Sequence, residues 1–273
     1  MLKIMCGGSE ILPKIINFPD GTMKIDLENI TENVPYEIVW RYENETEFVQ
    51  LIYITEHLHS LGYYDISLNM PYLPNARMDR VKADSEVFTL KYFSKLINSL
   101  GFKNVRVIDV HSSVGAALVD HITVESPEKY IRQAMEMSGI DKDNDCIFFP
   151  DEGSCKRYSS IFSDFANVAF GIKKRDWKTG QILGLDIHGT VPDGKNVFII
   201  DDICSYGGTV YHSALKLKEL GCKKVFAYFT HCENSIAKGE LFNGDLIENV
   251  FTTNSLCTLS TEEYPKLSII NCL

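Results

Sequence analysis

Residues 197–210 read VFIIDDICSYGGTV, an apolar run that ends in two adjacent carboxylates and then a turn of small residues. The turn opens into a helical pattern, with Val210, Ala214, Leu217 and Leu220 at helical spacing and Gly221 as its stop. Backbone N–H groups at the start of a helix, with hydroxyls from Ser205 and Thr209, suit a phosphate monoester without any lysine. Asp201 and Asp202 would repel that phosphate, so they need another target. Carboxylates accept hydrogen bonds from vicinal hydroxyls, directly or through a divalent ion. A sugar phosphate offers both ends. The stretch lacks the GxxxxGK[ST] pattern, so it is not a P-loop. A buried strand ended by solvated acids is the plain alternative, and the glycine-rich helix start that follows weighs against it.

Other apolar runs end in polar residues as well: MPYLPNARMDR (70–80), DVHSS (109–113), PDEGSCKR (150–157) and THCENS (230–235). In open α/β sheets ligands collect beyond the carboxyl ends of the strands. A further segment, IKKRDWKTG (172–180), places four basic residues within six positions of an otherwise acidic chain.

The elements that must position these residues alternate between short apolar strands and helical patterns. Strands are expected over 65–72, 104–111, 145–154, 167–172, 196–201 and 224–231, and a helix over 85–102. That alternation predicts parallel βαβ units in both halves, with a division near the polar GIDKDND at 139–145. The chain has 273 residues, 45% hydrophobic and 23% charged, enough for a real core. A net charge of −10 argues against general nucleic-acid binding. No signal-peptide pattern and no bilayer-length apolar run occur, so a cytoplasmic protein is expected, with no membrane partner. Eight cysteines without a CxxC pair are expected to be free thiols.

FIIDDICSYGGT resembles the phosphoribosyl-pyrophosphate (PRPP) binding loop of type I phosphoribosyltransferase folds. FPDGTMKI (18–25), MPYLPNARMDR, IDVHSS and FPDEGSCKR resemble, in order and spacing, the motifs of the ribose-phosphate pyrophosphokinase (PRPP synthetase) family. TTN at 252–254 is similar to a later strand end of that family. The resemblance implies an α/β protein of two similar phosphoribosyltransferase-like domains, each a mainly parallel sheet flanked by helices. They are expected over 1–135, with the ATP motifs, and 136–273, with the ribose 5-phosphate loop and a basic catalytic loop. It implies transfer of the diphosphate of ATP to ribose 5-phosphate, with Mg2+ as cofactor and a homo-oligomer built from dimers.

By the same resemblance, Asp201 and Asp202 meet the ribose hydroxyls, and Ser205, Tyr206, Gly207, Gly208 and Thr209 take the 5-phosphate. Phe18, Asp20, Arg77, Asp79 and His111 serve ATP, Phe18 and Asp20 at adenine and often from a neighbouring subunit. His111 and Asp151 hold magnesium. Lys173 and Arg175 are the catalytic pair of a closing loop, with Lys174 as the competing register. Two departures stand out: the family usually carries an acid where this chain has Ser205, and an amide where it has Met78. The loop alone would equally serve a phosphoribosyltransferase that consumes PRPP, and a non-catalytic regulatory relative is a third reading.

Overall fold

The computed structural model describes residues 1–30, 34–175 and 182–273, with backbone alone for 173–175 and 182–184. The chain divides into two units, Met1–Ser126 and Pro127–Cys272. Each has its own sheet, and each of the two main clusters of buried apolar side chains lies within one of them.

The first unit runs β1 (Leu2–Cys6), β2 (Ser9–Ile11), β3 (Lys14–Asn17), β4 (Met23–Asp26), β5 (Tyr36–Trp40), α1 (Glu45–Ser60), β6 (Ile66–Asn69), α2 (Thr89–Ser99), β7 (Val105–Ile108), α3 (Ser113–Leu118) and β8 (Ile122–Glu125). Its six-stranded sheet has the order β2-β1-β5-β6-β7-β8. From β5 to β8 the pairs are parallel, and β1 joins β5 antiparallel. Strands β3 and β4 form a separate antiparallel hairpin. Helix α1 starts where the Asn44 side chain accepts hydrogen bonds from the Thr46 and Glu47 N–H groups. It buries Phe48, Leu51, Ile54 and Leu58 on one face. Helix α2 buries Leu90, Phe93 and Ile97 at the expected spacing, whereas Val87 precedes the helix and is exposed.

The second unit runs α4 (Glu128–Ser138), β9 (Cys146–Phe149), α5 (Glu152–Tyr158), β10 (Asn167–Arg175), β11 (Ile182–Gly189), β12 (Val197–Cys204), α6 (Gly208–Glu219), β13 (Val225–Cys232), β14 (Asn249–Thr253) and β15 (Leu267–Ile270). Its seven-stranded sheet has the order β11-β10-β9-β12-β13-β14-β15. All neighbours are parallel except β10 and β11. The inner strands are mostly apolar, as a sheet covered on both faces requires: β9 is wholly buried and so is β13, with Thr230 and His231 near its end.

The division between units falls at Ser126/Pro127 rather than near residue 135. Helix α4 sets that boundary, because it packs on β13 and β14. Strand β10 continues through Arg175, where the sequence predicts its end at residue 172. Its ladder with β11 carries it on, pairing Lys173 with Leu185 and Arg175 with Ile182. Among the described residues no helix is long and apolar enough to cross a membrane.

Candidate active site

The strand order of the second sheet reverses between β9 and β12. From β9 the chain proceeds outward to β10 and β11, and from β12 outward the other way to β13, β14 and β15. Connections that leave in opposite directions open a crevice at the carboxyl ends of the two strands. The ladders show where it begins. The β9–β12 pairing stops at Phe148 with Ile199, whereas β12 and β13 stay paired as far as Cys204 with Cys232. In the first sheet the order turns between β1 and β5 instead, and those two strands are antiparallel, so their carboxyl ends lie at opposite edges.

Pro150–Asp151 leaves β9 on one side of the crevice. Asp151 is the N-cap of α5: its Oδ1 accepts from the Gly153 N–H (3.0 Å) and the Ser154 N–H (3.1 Å), and Ser154 completes a capping box. The residue expected to hold metal therefore also starts a helix. On the other side stand Asp201 and Asp202. Asp202 is 2% exposed, and its Oδ1 accepts from Arg157 Nη2 at 2.7 Å. The same Nη2 lies 3.7 Å from Asp201 Oδ1. The Asp202 N–H donates to Asp201 Oδ1 at 3.0 Å. The adjacent acids thus differ: Asp202 is buried against an arginine, and Asp201 is the more exposed of the two. Burial, then the charges of Asp202 and Asp151, push the Asp201 carboxyl well above the usual range, and Arg157 opposes them. Three carboxylates near one arginine make a place that favours added positive charge.

Past Cys204 the chain makes the Ser205–Tyr206–Gly207 turn into α6. Gly207 has φ +79°, and a Cβ there would lie 2.4 Å from Leu241 Cδ1. Gly239 lets a second segment approach: a Cβ on it would meet the Tyr206 carbonyl oxygen at 2.0 Å. Both glycines are required by this close packing. Helix α6 has no side-chain cap and no acid in its first turn, so its first N–H groups are open to an anion. Gly208 has open space around its Cα, and the Tyr206 side chain is 58% exposed. The turn carries Ser205, Tyr206, Gly207, Gly208 and Thr209 together, separated by two residues from Asp201 and Asp202, which lie beside Arg157 and Asp151.

The hydroxyl of Ser205 is held by β13's end. Ser205 Oγ donates to Glu233 Oε2 at 2.8 Å, and Ser235 Oγ reaches the same oxygen at 3.1 Å. Beneath the turn, Cys204, Cys232 and Cys257 are buried. Hydrogen bonds from Cys204 and Cys257, then burial, hold the Cys232 thiol well above its ordinary pKa, so it stays protonated.

The other expected residues belong to the first unit. Phe18 and Asp20 form the tip of the β3–β4 hairpin. The Phe18 N–H donates to the Thr22 carbonyl (2.8 Å), and Gly21 has φ +85°. Asp20 Oδ1 accepts from both the Thr22 hydroxyl (2.7 Å) and the Thr22 N–H (2.9 Å), which hold its pKa down. Phe18 is 46% exposed at this tip. Arg77, exposed, and Asp79, half-buried, follow β6 in a loop where Asn75 takes φ +63°. His111 follows β7, after Asp109 with φ +47°. Gly115 of α3 packs close to this loop, since a Cβ would meet Val110 at 2.8 Å and Leu73 at 2.9 Å. His111 and Asp151, expected to share a metal, therefore lie in different units. Lys173 and Arg175 stand at the end of β10, their side chains outside the described atoms, and 176–180 of the basic segment lie outside the described residues.

Two residues that touch the expected ones are not singled out by the sequence. Arg157 lies within a quoted motif, but only the folded α5 brings it to Asp202. Glu233 lies in the polar end THCENS; its partner Ser205 is set by the β12–β13 register, which the sequence does not state.

The comparisons with known proteins bear on both units. No family model matches the chain. A ribose-phosphate pyrophosphokinase of Pyrococcus abyssi is 26% identical over 271 residues, covering 97% of this chain and 90% of that protein. The enzymes of the same name from Saccharolobus solfataricus and Bacillus subtilis are 27% and 25% identical, over 78% and 89% of this chain and 74% and 76% of theirs. Over most of its length the chain is similar to the ribose-phosphate pyrophosphokinases. The phosphoribosylpyrophosphate synthetase of Mycobacterium smegmatis shares its fold, with a TM-score of 0.79 and 18% identity over 96% of this chain and 86% of that one. Within this shared fold, the Asp201–Thr209 segment lies at the strand-order reversal of the second unit.

Proposed function

We propose that the protein is a ribose-phosphate diphosphokinase of the cytoplasm, which makes PRPP and AMP from ATP and ribose 5-phosphate. The observation that carries this reading is the extent of the likeness to the Pyrococcus abyssi enzyme, 97% of this chain, both units included. A PRPP-consuming transferase would account for the Asp201–Thr209 segment and leave the first unit's motifs without a task.

In the reaction, the anomeric hydroxyl of ribose 5-phosphate attacks the β-phosphorus of ATP. One O–P bond forms, the bond from that phosphorus to the α,β-bridging oxygen breaks, and AMP leaves. Such a transfer asks for alignment and charge neutralisation rather than covalent help. The first N–H groups of α6 and the hydroxyls of Ser205 and Thr209 hold the 5-phosphate. Asp201, supported by Asp202 and Arg157, accepts from the ribose hydroxyls. Phe18, Asp20, Arg77, Asp79 and His111 bind ATP. Lys173 and Arg175 offset the charge on the transferred phosphates. The subunits form a homo-oligomer through which the Phe18 hairpin serves a neighbour's nucleotide.

Magnesium fits the donor set. Asp151, Asp201 and Asp202 are all oxygen donors, and the raised affinity of Asp201 for a proton marks a place short of positive charge. Among the described residues no three ligand-type side chains form a ready cage, which suits an ion that uses one or two carboxylates plus phosphate oxygens and water. In the second unit Asp201 and Asp151 are the residues that would hold it, and bound there it would neutralise phosphate charge; His111 would serve the nucleotide's metal in the first unit.

The test is product analysis: the purified protein with ATP, Mg2+ and ribose 5-phosphate should release AMP only when the sugar phosphate is present. Release of ADP, or binding of PRPP with a nucleobase and no AMP, would refute the reading.

A further inference from the structure

Strands β12 and β13 run parallel in a continuous register that pairs Cys204 with Cys232. The ladder goes one step further, since the Glu233 N–H donates to the Cys204 carbonyl oxygen at 2.8 Å. Ser205 and Glu233 therefore leave the sheet side by side. Their side chains meet: Ser205 Oγ donates to Glu233 Oε2 at 2.8 Å, Ser235 Oγ to the same oxygen at 3.1 Å, and the two serine oxygens are 3.1 Å apart. This cluster lies at the second residue after the Asp201–Asp202–Ile203 step and immediately before the glycine turn.

A carboxylate is thus present beside a turn whose own sequence lacks one. The geometry points to Glu233 as a sugar-binding residue, which takes a ribose hydroxyl at the Ser205 position from the neighbouring strand. The assignment rests on the reading of this loop as the ribose 5-phosphate site. The chemistry is specific. Two serine hydroxyls turn freely about their C–O bonds, so either can give way to an incoming hydroxyl at Glu233 Oε2 or accept from it. A carboxylate accepts more strongly than a hydroxyl, because the bond is charge-assisted. The α6 end of the turn takes the phosphate, and Asp201 and Glu233 flank the turn with acid. The backbone link between Glu233 and Cys204 fixes the distance, so the acid is positioned by the sheet rather than by the loop.

The decisive experiment measures ribose 5-phosphate binding by calorimetry, with kcat and KM alongside, for the native chain, Glu233→Gln, and Glu233→Gln with Ser205→Asp. Loss of one charge-assisted hydrogen bond is expected to weaken binding about tenfold to a hundredfold. The double variant should recover most of that loss by placing the acid in the loop itself, and KM for ATP should stay unchanged in both. A purely structural Glu233 would lower the melting temperature, leave sugar affinity within about twofold of native, and gain nothing from Ser205→Asp; that result overturns the inference. If Glu233→Gln does not fold, Ser205→Asp in the native background decides. Two facing carboxylates share a proton more readily at low pH, so affinity should fall more at pH 8 than at pH 6. Improved affinity at both would overturn the inference. Should the native chain itself bind no ribose 5-phosphate, the reading of the loop fails and not merely the role of Glu233.

Discussion

At Asp201 the proposed function and stability pull in opposite directions. Its carboxyl is raised by burial and by Asp202 and Asp151, so between its ordinary value and the raised one the folded chain holds more protons than the unfolded chain. Stability from this group is then full at low pH and falls as pH rises through the folded value. Asp201→Asn keeps the Oδ1 acceptor for the Asp202 N–H and removes a charge. The ligand-free variant should be more stable at neutral pH by about 0.5–2 kcal/mol, with the gain shrinking toward pH 4, as thermal unfolding at several pH values would show. Its turnover should fall sharply, and added Mg2+ should raise its melting temperature less than that of the native chain. Equal stability at all pH values would mean that Asp201 feels no repulsion. At the same scale, Lys173→Ala and Arg175→Ala should each lower kcat about a hundredfold or more, as loss of transition-state charge stabilisation does. Ribose 5-phosphate binding should survive in both, and unchanged kcat would place the catalytic cations elsewhere.

At the scale of elements, the turn into α6 depends on Gly207. Gly207→Ala meets both a positive φ and Leu241, and should cost about 1–3 kcal/mol locally and weaken ribose 5-phosphate binding strongly. Adding Leu241→Ala should recover stability only in part, because the φ penalty remains. Full recovery would mean that the clash alone mattered. The β3–β4 hairpin gives the opposite expectation: Phe18 is exposed, so Phe18→Ala should shift stability by less than about 0.5 kcal/mol while raising KM for ATP. The central parallel strands were legible in the sequence because each starts with a run of four or more apolar residues and then turns polar. The antiparallel strands β1 to β4 were not: three to five residues of mixed burial carry too little periodicity. The reach of β12 to Cys204 was hidden because Asp201 and Asp202 look like a strand end, yet Asp201, Ile203 and Cys204 all pair with β13. The residue types and spacing that suggest a site stand in the sequence itself. The Arg157–Asp202 pair and the Ser205–Glu233 contact were not, since both depend on which elements become neighbours.

At the scale of the whole molecule, the two units bury separate cores, and eight cysteines remain free thiols. Seven are buried and only Cys155 is partly exposed; burial pushes the Cys146 thiol up to about 12. A thiol-reagent titration of the native protein should therefore show one fast group at most, and all eight after unfolding. The central claim is a transfer of an intact diphosphate, and phosphorus NMR of the reaction with ATP, Mg2+ and ribose 5-phosphate tests it most directly. The β- and γ-phosphorus signals of ATP should reappear as a coupled diphosphate attached to the sugar's anomeric carbon, in step with AMP. Appearance of ADP with a sugar monophosphate, or of free phosphate alone, would contradict it.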